Sequence, residues 1–373
     1  MLDSNTPAKP IVPTPGKTIL SGSDVDTGAT AKALLLGIDL GTSRSSVVSY
    51  NGTRKTVETY VGFPKDAVSR KFLKQDVVFG KAALDNRLAL DLYRPLENGV
   101  IKGSEDANTD PTRREKNLNA AKLLLKHLVD LASPGRDEMI FGVVGVPSRA
   151  THKNKQAILE MSRQVLDSVM IVSEPFTVAY GMDKMADILV IDIGAGTTDL
   201  CRMHGTVPTE DDEISLTVAG DAVDQKLHEL ITRKYPKASL DVPMCKQFKE
   251  QYGFVSDAKD KIEVLLPVDG KPTPHDITTE VHAACEILVE PILEAIHKLV
   301  ASFSPEFQER LRNNVLLSGG GGLMDGLNKR IEDGMARIGG GKVTIVDEPL
   351  YAGANGALQL AVDMPGEYWQ QVR

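Results

Sequence analysis

The chain has 373 residues, 42% hydrophobic and 25% charged, with a formal net charge of −8. That length exceeds one hydrophobic core and suits two domains or one bilobed protein, while the acidic balance offers nothing to the phosphates of nucleic acid. No apolar run reaches the roughly 20 residues of a membrane-spanning helix and no basic-then-apolar leader opens the chain, so direct membrane insertion is not expected.

The three cysteines, Cys201, Cys245 and Cys285, are odd in number and far apart, which fits neither a disulfide framework nor a zinc site. Reduced thiols and a cytoplasmic setting follow. The histidines form no HExxH-type grouping, so no transition-metal site is expected.

Residues 1–33, with Pro10, Pro13, Pro15 and many Ser, Thr, Gly and Asp, bury too little to fold and read as a flexible tail. Leu34 to Leu40 is then an apolar strand closed by Gly41. A helix is expected from Thr112, where Thr112 and Glu115 suit a capping box and Leu118, Ala121, Leu125, Leu128 and Ala132 recur at helical spacing. Further buried strands are expected at Met139–Val146, Asp187–Ile193, Asn314–Leu317 and Val343–Val346. Lys261 to Thr273 alternates around Asp269-Gly270 as a β-hairpin of an outlying subdomain. Thr278 to Phe303 is helical, with a kink or split at Pro291. Strands alternating with helices give an α/β fold with largely buried sheets.

One duplication organises the rest. Gly37-Ile38-Asp39-Leu40-Gly41-Thr42-Ser43 and Ile191-Asp192-Ile193-Gly194-Ala195-Gly196-Thr197-Thr198 share a plan of apolar strand, aspartate, glycine turn and hydroxyl residues. Such turns aim several backbone N–H groups one way and can hold phosphate oxygens. In an acidic protein a triphosphate also needs a divalent cation, and Mg²⁺ accepts one or two carboxylates while keeping its waters. Asp39 and Asp192 are the candidate anchors. A lone turn of this kind is common in ordinary loops, but two matching copies are not. A strand running into Gly319-Gly320-Gly321-Gly322 adds a third element, where side chains would block a flat ligand.

The five motifs GIDLGTS (37–43), SEPFTVAYG (173–181), DIGAGTTD (192–199), LLSGGGGLMDGL (316–327) and DEPLYAGANGAL (347–358) stand in an order that resembles the actin, heat-shock chaperone and sugar-kinase superfamily from Leu34 to the C-terminus. RPLENGVI (94–101) and GVPSRAT (145–151) are similar to the bacterial actins of the MreB type. The stretch 171–200, the GTVP at 205–208 and Glu367-Tyr368-Trp369 are similar to the magnetosome-organising bacterial actins. The long tail is atypical, and Ala195 replaces the middle glycine common in MreB.

The resemblance implies an actin-like fold of two related lobes around a nucleotide cleft. Lobe I would be 34–176 and 347–373, with a small subdomain at about 63–100; lobe II would be 177–346, with an outer subdomain at about 219–276. It implies an ATPase that binds ATP/ADP and Mg²⁺, self-assembles into a cytoskeletal filament and has magnetosome-associated proteins as further partners. Asp39 and Asp192 would hold Mg²⁺ through water, and Gly41, Thr42, Ser43, Gly194, Ala195, Gly196 and Thr197 would line the phosphates. Gly220 and Asp221 would sit near the ribose, Lys249 and Glu250 beside adenine and ribose, and Gly320, Gly321 and Leu323 on the adenosine's other side. Glu174 would orient or deprotonate the attacking water, with Asp192 assisting through the metal. Arg44 receives no role. An MreB-like cell-shape filament, a chaperone-type ATPase and a small-molecule kinase are the competing readings.

Overall fold

A computed structural model describes residues 33–104, 110–257 and 260–371. The flexible-tail expectation for residues 1–33 therefore falls almost wholly outside the described residues.

The apolar Leu34–Leu40 segment forms β1 (Ala33–Leu40), which turns at Gly41 into β2 (Arg44–Ser49) and then β3 (Arg54–Glu58). A small inserted unit follows: β4 (Val61–Pro64), α1 (Ala67–Leu73), β5 (Val78–Phe79), α2 (Gly80–Asp85) and β6 (Leu90–Tyr93). The short pair β7 (Leu96–Glu97) and β8 (Val100–Ile101) leads through α3 (Pro111–Leu131) to β9 (Met139–Val146), α4 (His152–Ser162) and β10 (Ser168–Ser173). The first five-stranded sheet runs β10-β9-β1-β2-β3. Its strands β9 and β10 are parallel to β1, whereas β2 and β3 alternate.

The second half repeats this plan. After α5 (Glu174–Gly181) come β11 (Ala186–Ile193), β12 (Thr198–His204) and β13 (Glu213–Leu216), then α6 (Gly220–Lys234) and α7 (Val242–Tyr252). The hairpin β14 (Glu263–Val268) and β15 (Lys271–Asp276) precedes α8 (Thr278–Cys285), α9 (Val289–Ala301), α10 (Pro305–Arg312), β16 (Val315–Ser318), α11 (Leu327–Met335) and β17 (Val343–Ile345). The second sheet runs β17-β16-β11-β12-β13, the same order with the same strand directions. The sequence duplication is thus a duplication of topology.

Finally α12 (Ala352–Asp363) returns to the first sheet and α13 (Gly366–Gln371) ends the description. Small residues let α12 press its backbone on its neighbours: a Cβ at Gly356 would lie 1.7 Å from the Thr177 carbonyl oxygen, and one at Gly37 would lie 2.1 Å from that of Ala354. One core cluster joins Leu35, Phe141 and Val143 of the first sheet to Ile188, Val190, Cys201 and Leu316 of the second through α5 and α12. The two sheets are therefore joined through these two helices.

Two local expectations need correction, and two hold. The cap of α3 is Asp110, which accepts from Thr112 N at 3.2 Å with Pro111 at the first helical position, so the Thr112/Glu115 capping box does not form. On that helix the buried stripe is Ala120, Ala121, Leu124, Leu125 and Leu128, and Leu118 faces solvent. The long helix is split, as expected, at a 3₁₀ turn, Glu286–Leu288: a continuous helix would drive the ring of Pro291 into the carbonyl of Ile287 four residues earlier, whereas in the first turn of α9 Pro291 is tolerated. The β14–β15 hairpin turns on Asp269 and Gly270, both at positive φ as a tight two-residue turn requires.

Candidate functional site

The β1–β2 turn and the β11–β12 turn are held face to face. A Cβ at Gly196 would lie 2.5 Å from Thr42 Oγ1 and 2.8 Å from Asn98 Cα, so only glycine lets the two lobes meet here. Between them is a cavity of about 560 Å³. Every residue singled out from the sequence lines it: Asp39, Gly41, Thr42 and Ser43 from the first turn; Asp192, Gly194, Ala195, Gly196 and Thr197 from the second; Glu174 at the start of α5; Gly220 and Asp221 at the start of α6; Lys249 and Glu250 on α7; and Gly320, Gly321 and Leu323 after β16.

Asp39, Glu174 and Asp192 line the cavity, and a fourth acid, Asp199, is buried next to Asp192. Asp39 and Asp192 occupy the last turns of β1 and β11, Asp199 is the cross-strand partner of Asp192, and Glu174 begins α5. Burial pushes the Asp39 carboxyl up to about 6. Burial, then the charges of Asp39 and Asp199, push Asp192 up to about 7. Glu174 is raised well above the ordinary range by burial and then by Asp39, Asp199 and Asp192. No Lys or Arg pairs with any of the four among the described residues. Buried carboxylates without a counter-charge suit a hard divalent cation, which supplies that charge. Among the described residues no group of three or more His, Cys, Asp or Glu side chains is arranged to ligate a metal directly.

The glycine run after β16 owes part of its composition to packing. Gly319 has φ 76°, and a Cβ there would lie 2.6 Å from Asp192 Oδ1; at Gly321 it would lie 2.2 Å from Ile193 Cγ2. The expectation that these glycines make room for a flat ligand holds no direct support at those two positions: they let the loop close on the end of β11. Leu323, 56% exposed, and Leu350 both line the cavity.

The second turn is docked onto α6, whose Gly220 and Asp221 amides donate to the Gly194 and Ala195 carbonyl oxygens at 3.1 and 2.7 Å. Lys249 is engaged within its own lobe, 2.7 Å from both the Gly220 carbonyl oxygen and Asp224 Oδ1. Its ammonium thus braces α6 against α7 beside the cavity. Other pairs cross between lobes. Arg94 reaches Asp221 at 2.8 Å and also donates to the Thr42 carbonyl oxygen at 2.9 Å. Arg44 pairs with Glu250 at 2.9 Å.

Sequence reasoning missed Lys246, which donates to Ser43 Oγ at 2.6 Å across the cavity. Burial lowers its pKa, yet neighbouring Glu250 acts to keep it charged. One signal was available, since Lys246 lies one helical turn before Lys249-Glu250 on the same face of α7.

The MreB/Mbl protein family model matches residues 33–366. The chain belongs to the MreB/Mbl family. Among curated proteins it is 38% identical over 345 residues to the actin-like protein MamK of Paramagnetospirillum magneticum, covering 92% of this chain and 97% of that one. Among solved structures it is similar to the MamK double helical filament, with a TM-score of 0.85 at 38% identity over 89% of this chain and all of the other. It is also similar to a non-polymerising MamK mutant bound to AMPPNP, with a TM-score of 0.67 at 37% identity, over 89% of this chain and 99% of that one. The fold of this MreB/Mbl member is actin-like, and the cavity between its lobes is the cleft of that fold.

Proposed function

We propose that this chain is an actin-like cytoskeletal filament subunit that binds and hydrolyses Mg-ATP in the cleft to control its own assembly, and that its filament organises magnetosomes. The observation that carries the reading is the pair of aspartate-bearing glycine turns, one from each lobe, converging on one cavity whose buried carboxylates have no counter-charge among the described residues. The likeness to MamK, whose solved structures include a double helical filament and a non-polymerising mutant bound to AMPPNP, supports the assembly.

In this reading Asp39 and Asp192 would hold Mg²⁺ through its waters, and a bound Mg²⁺ would supply the positive charge that a triphosphate needs. The turn amides of Gly41–Ser43 and Gly194–Thr197 cradle the phosphates. Glu174 projects from the start of α5 toward the same floor, and its raised pKa suits a group that takes a proton from water attacking the terminal phosphate. Closure of the lobes on nucleotide is stabilised by the Arg94–Asp221, Arg44–Glu250 and Lys246–Ser43 contacts, which gives bound nucleotide a way to bias subunit affinity.

Sedimentation and electron microscopy of the purified chain test this. Filaments are expected with Mg-ATP and few without nucleotide; a protein that stays monomeric in Mg-ATP contradicts it.

A further inference from the structure

Arg44 directly follows the first glycine turn and reaches across the cleft. Its Nη2 donates to Glu250 Oε2 at 2.9 Å, from the first residue of β2 in one lobe to α7 in the other. Both side chains line the cavity and stay open to solvent, 35% exposed for Arg44 and 37% for Glu250. An ion pair so accessible to water contributes little to stability, so the fold alone does not account for its place on the cavity wall.

The helix that carries Glu250 joins two different parts of that wall. In its middle, Lys246 donates to Ser43 Oγ at 2.6 Å, at the first turn. Past its end, the Gly253 carbonyl oxygen accepts from Asp325 N at 3.3 Å, which ties it to the loop of the apolar lining residues Leu323 and Met324. Glu250 lies between, one helical turn or about 6 Å beyond Lys246. A nucleotide whose phosphates rest on the turn and whose base reaches Leu323 and Met324 has its sugar beside Glu250. Chemistry agrees with that placement: a carboxylate repels phosphate but accepts hydrogen bonds from hydroxyls.

Two cations compete for this carboxylate, and they draw it in different directions. Lys246 Nζ stands 3.9 Å from Oε1, one turn back on the same helix, whereas Arg44 holds Oε2 from the opposite lobe. Without Arg44 the side chain is free to fold back along α7 onto Lys246, as pairs at this spacing do. With Arg44 in place one oxygen is drawn across the cleft, and the lone pairs that remain are available to a ligand.

We propose that Arg44 is a positioning residue that aims the Glu250 carboxylate at the 2′- and 3′-hydroxyls of the bound nucleotide, so that this chain selects ribonucleotides. The inference rests on the nucleotide reading above and deepens it by naming the sugar class and the residue that enforces it. Because Arg44 follows Ser43 without a gap, the turn that holds phosphate also carries the group that orients the sugar's acceptor. Opening the lobes separates Arg44 from Glu250, so the sugar is recognised only in the closed cleft.

The test compares the affinity of the full chain for Mg-ATP and for Mg-2′,3′-dideoxy-ATP, which lacks both sugar hydroxyls, with melting temperature as the check on folding. The wild-type chain should bind ATP about tenfold more tightly than the dideoxy analogue, as expected for one hydrogen bond to a charged group. Arg44→Ala and Glu250→Ala should each cut that ratio to about twofold or less, because the same bond is lost in both. Lys246→Ala supplies the contrast. It too deletes a cross-lobe contact and should weaken both nucleotides, yet Arg44 still aims the carboxylate and the ratio should stay near the wild-type value. A merely structural role for Arg44 would give Arg44→Ala that same pattern, with both affinities lowered and the ratio kept. Equal binding of ATP and dideoxy-ATP by the wild-type chain, a ratio preserved in Arg44→Ala, or a ratio lost in Lys246→Ala overturns the proposal. A wild-type chain that binds neither nucleotide overturns instead the nucleotide reading on which the proposal rests.

Discussion

The two glycine turns have the same sequence plan but different attachments. The second turn is locked inside its own lobe, its Gly194 and Ala195 carbonyl oxygens accepting from the first amides of α6. The first turn is held by Thr59, just after β3, whose hydroxyl and N–H donate to the Gly41 and Ser43 carbonyl oxygens at 2.7 and 2.9 Å. It is also held from outside its sheet: Thr42 Oγ1 accepts from Gly99 N at 2.8 Å, the Thr42 carbonyl oxygen from Arg94, and Ser43 Oγ from Lys246 of the other lobe. One half of the cradle is therefore tied within its own lobe, and the other depends in part on where the opposite lobe and the small inserted unit stand. In the proposed reading the first of these would position the phosphates, and the second would report whether they are there.

The largest effect that would sharpen this division is on chemistry. Glu174→Ala should leave Mg-ATP binding nearly unchanged while slowing phosphate release about 10²- to 10⁴-fold, giving filaments that persist. Phosphate release at the wild-type rate would remove Glu174 from the mechanism. A smaller effect probes the half that depends on the opposite lobe. Lys246→Ala deletes one cross-lobe hydrogen bond worth about 1 kcal/mol, so nucleotide affinity should weaken about fivefold with little change in melting temperature. Unchanged affinity would break the claim that the first turn is steadied from the opposite lobe.

How much of this was legible in the sequence follows from the range of each interaction. The paired turns, Glu174 before Pro175 and the glycine run were readable because each is a local string whose backbone consequence is short-ranged. The corresponding order of the two sheets was implied by the duplication alone. What escaped were contacts between distant positions: Lys246 with Ser43, Arg94 with Asp221, Arg44 with Glu250. No periodicity encodes such pairings. Lys249 and Glu250 look like an ordinary helical charge pair, yet each side chain turns to a different partner, Asp224 and Arg44. The α3 cap was misplaced for a local reason, since Asp110-Pro111 and Thr112 both suit a helix start and only geometry decides between them.

The central claim is that Asp39 and Asp192, one from each lobe, share a metal-bound triphosphate. Their carboxyls sit at about 6 and about 7 against an ordinary value of 3.8. A carboxyl raised in the folded state binds its proton more tightly there than in the unfolded chain, so its stabilisation is present below about pH 4 and is lost as pH rises toward about 7. A cation that supplies the missing counter-charge removes that penalty. The direct measurement is melting temperature against pH, from about 5 to about 8, in a chelator and again in excess Mg-ATP. The account predicts a fall with rising pH in the chelator and a higher, flatter curve with Mg-ATP, the difference shrinking in Asp192→Asn. Parallel curves with no separation at the upper pH would contradict it.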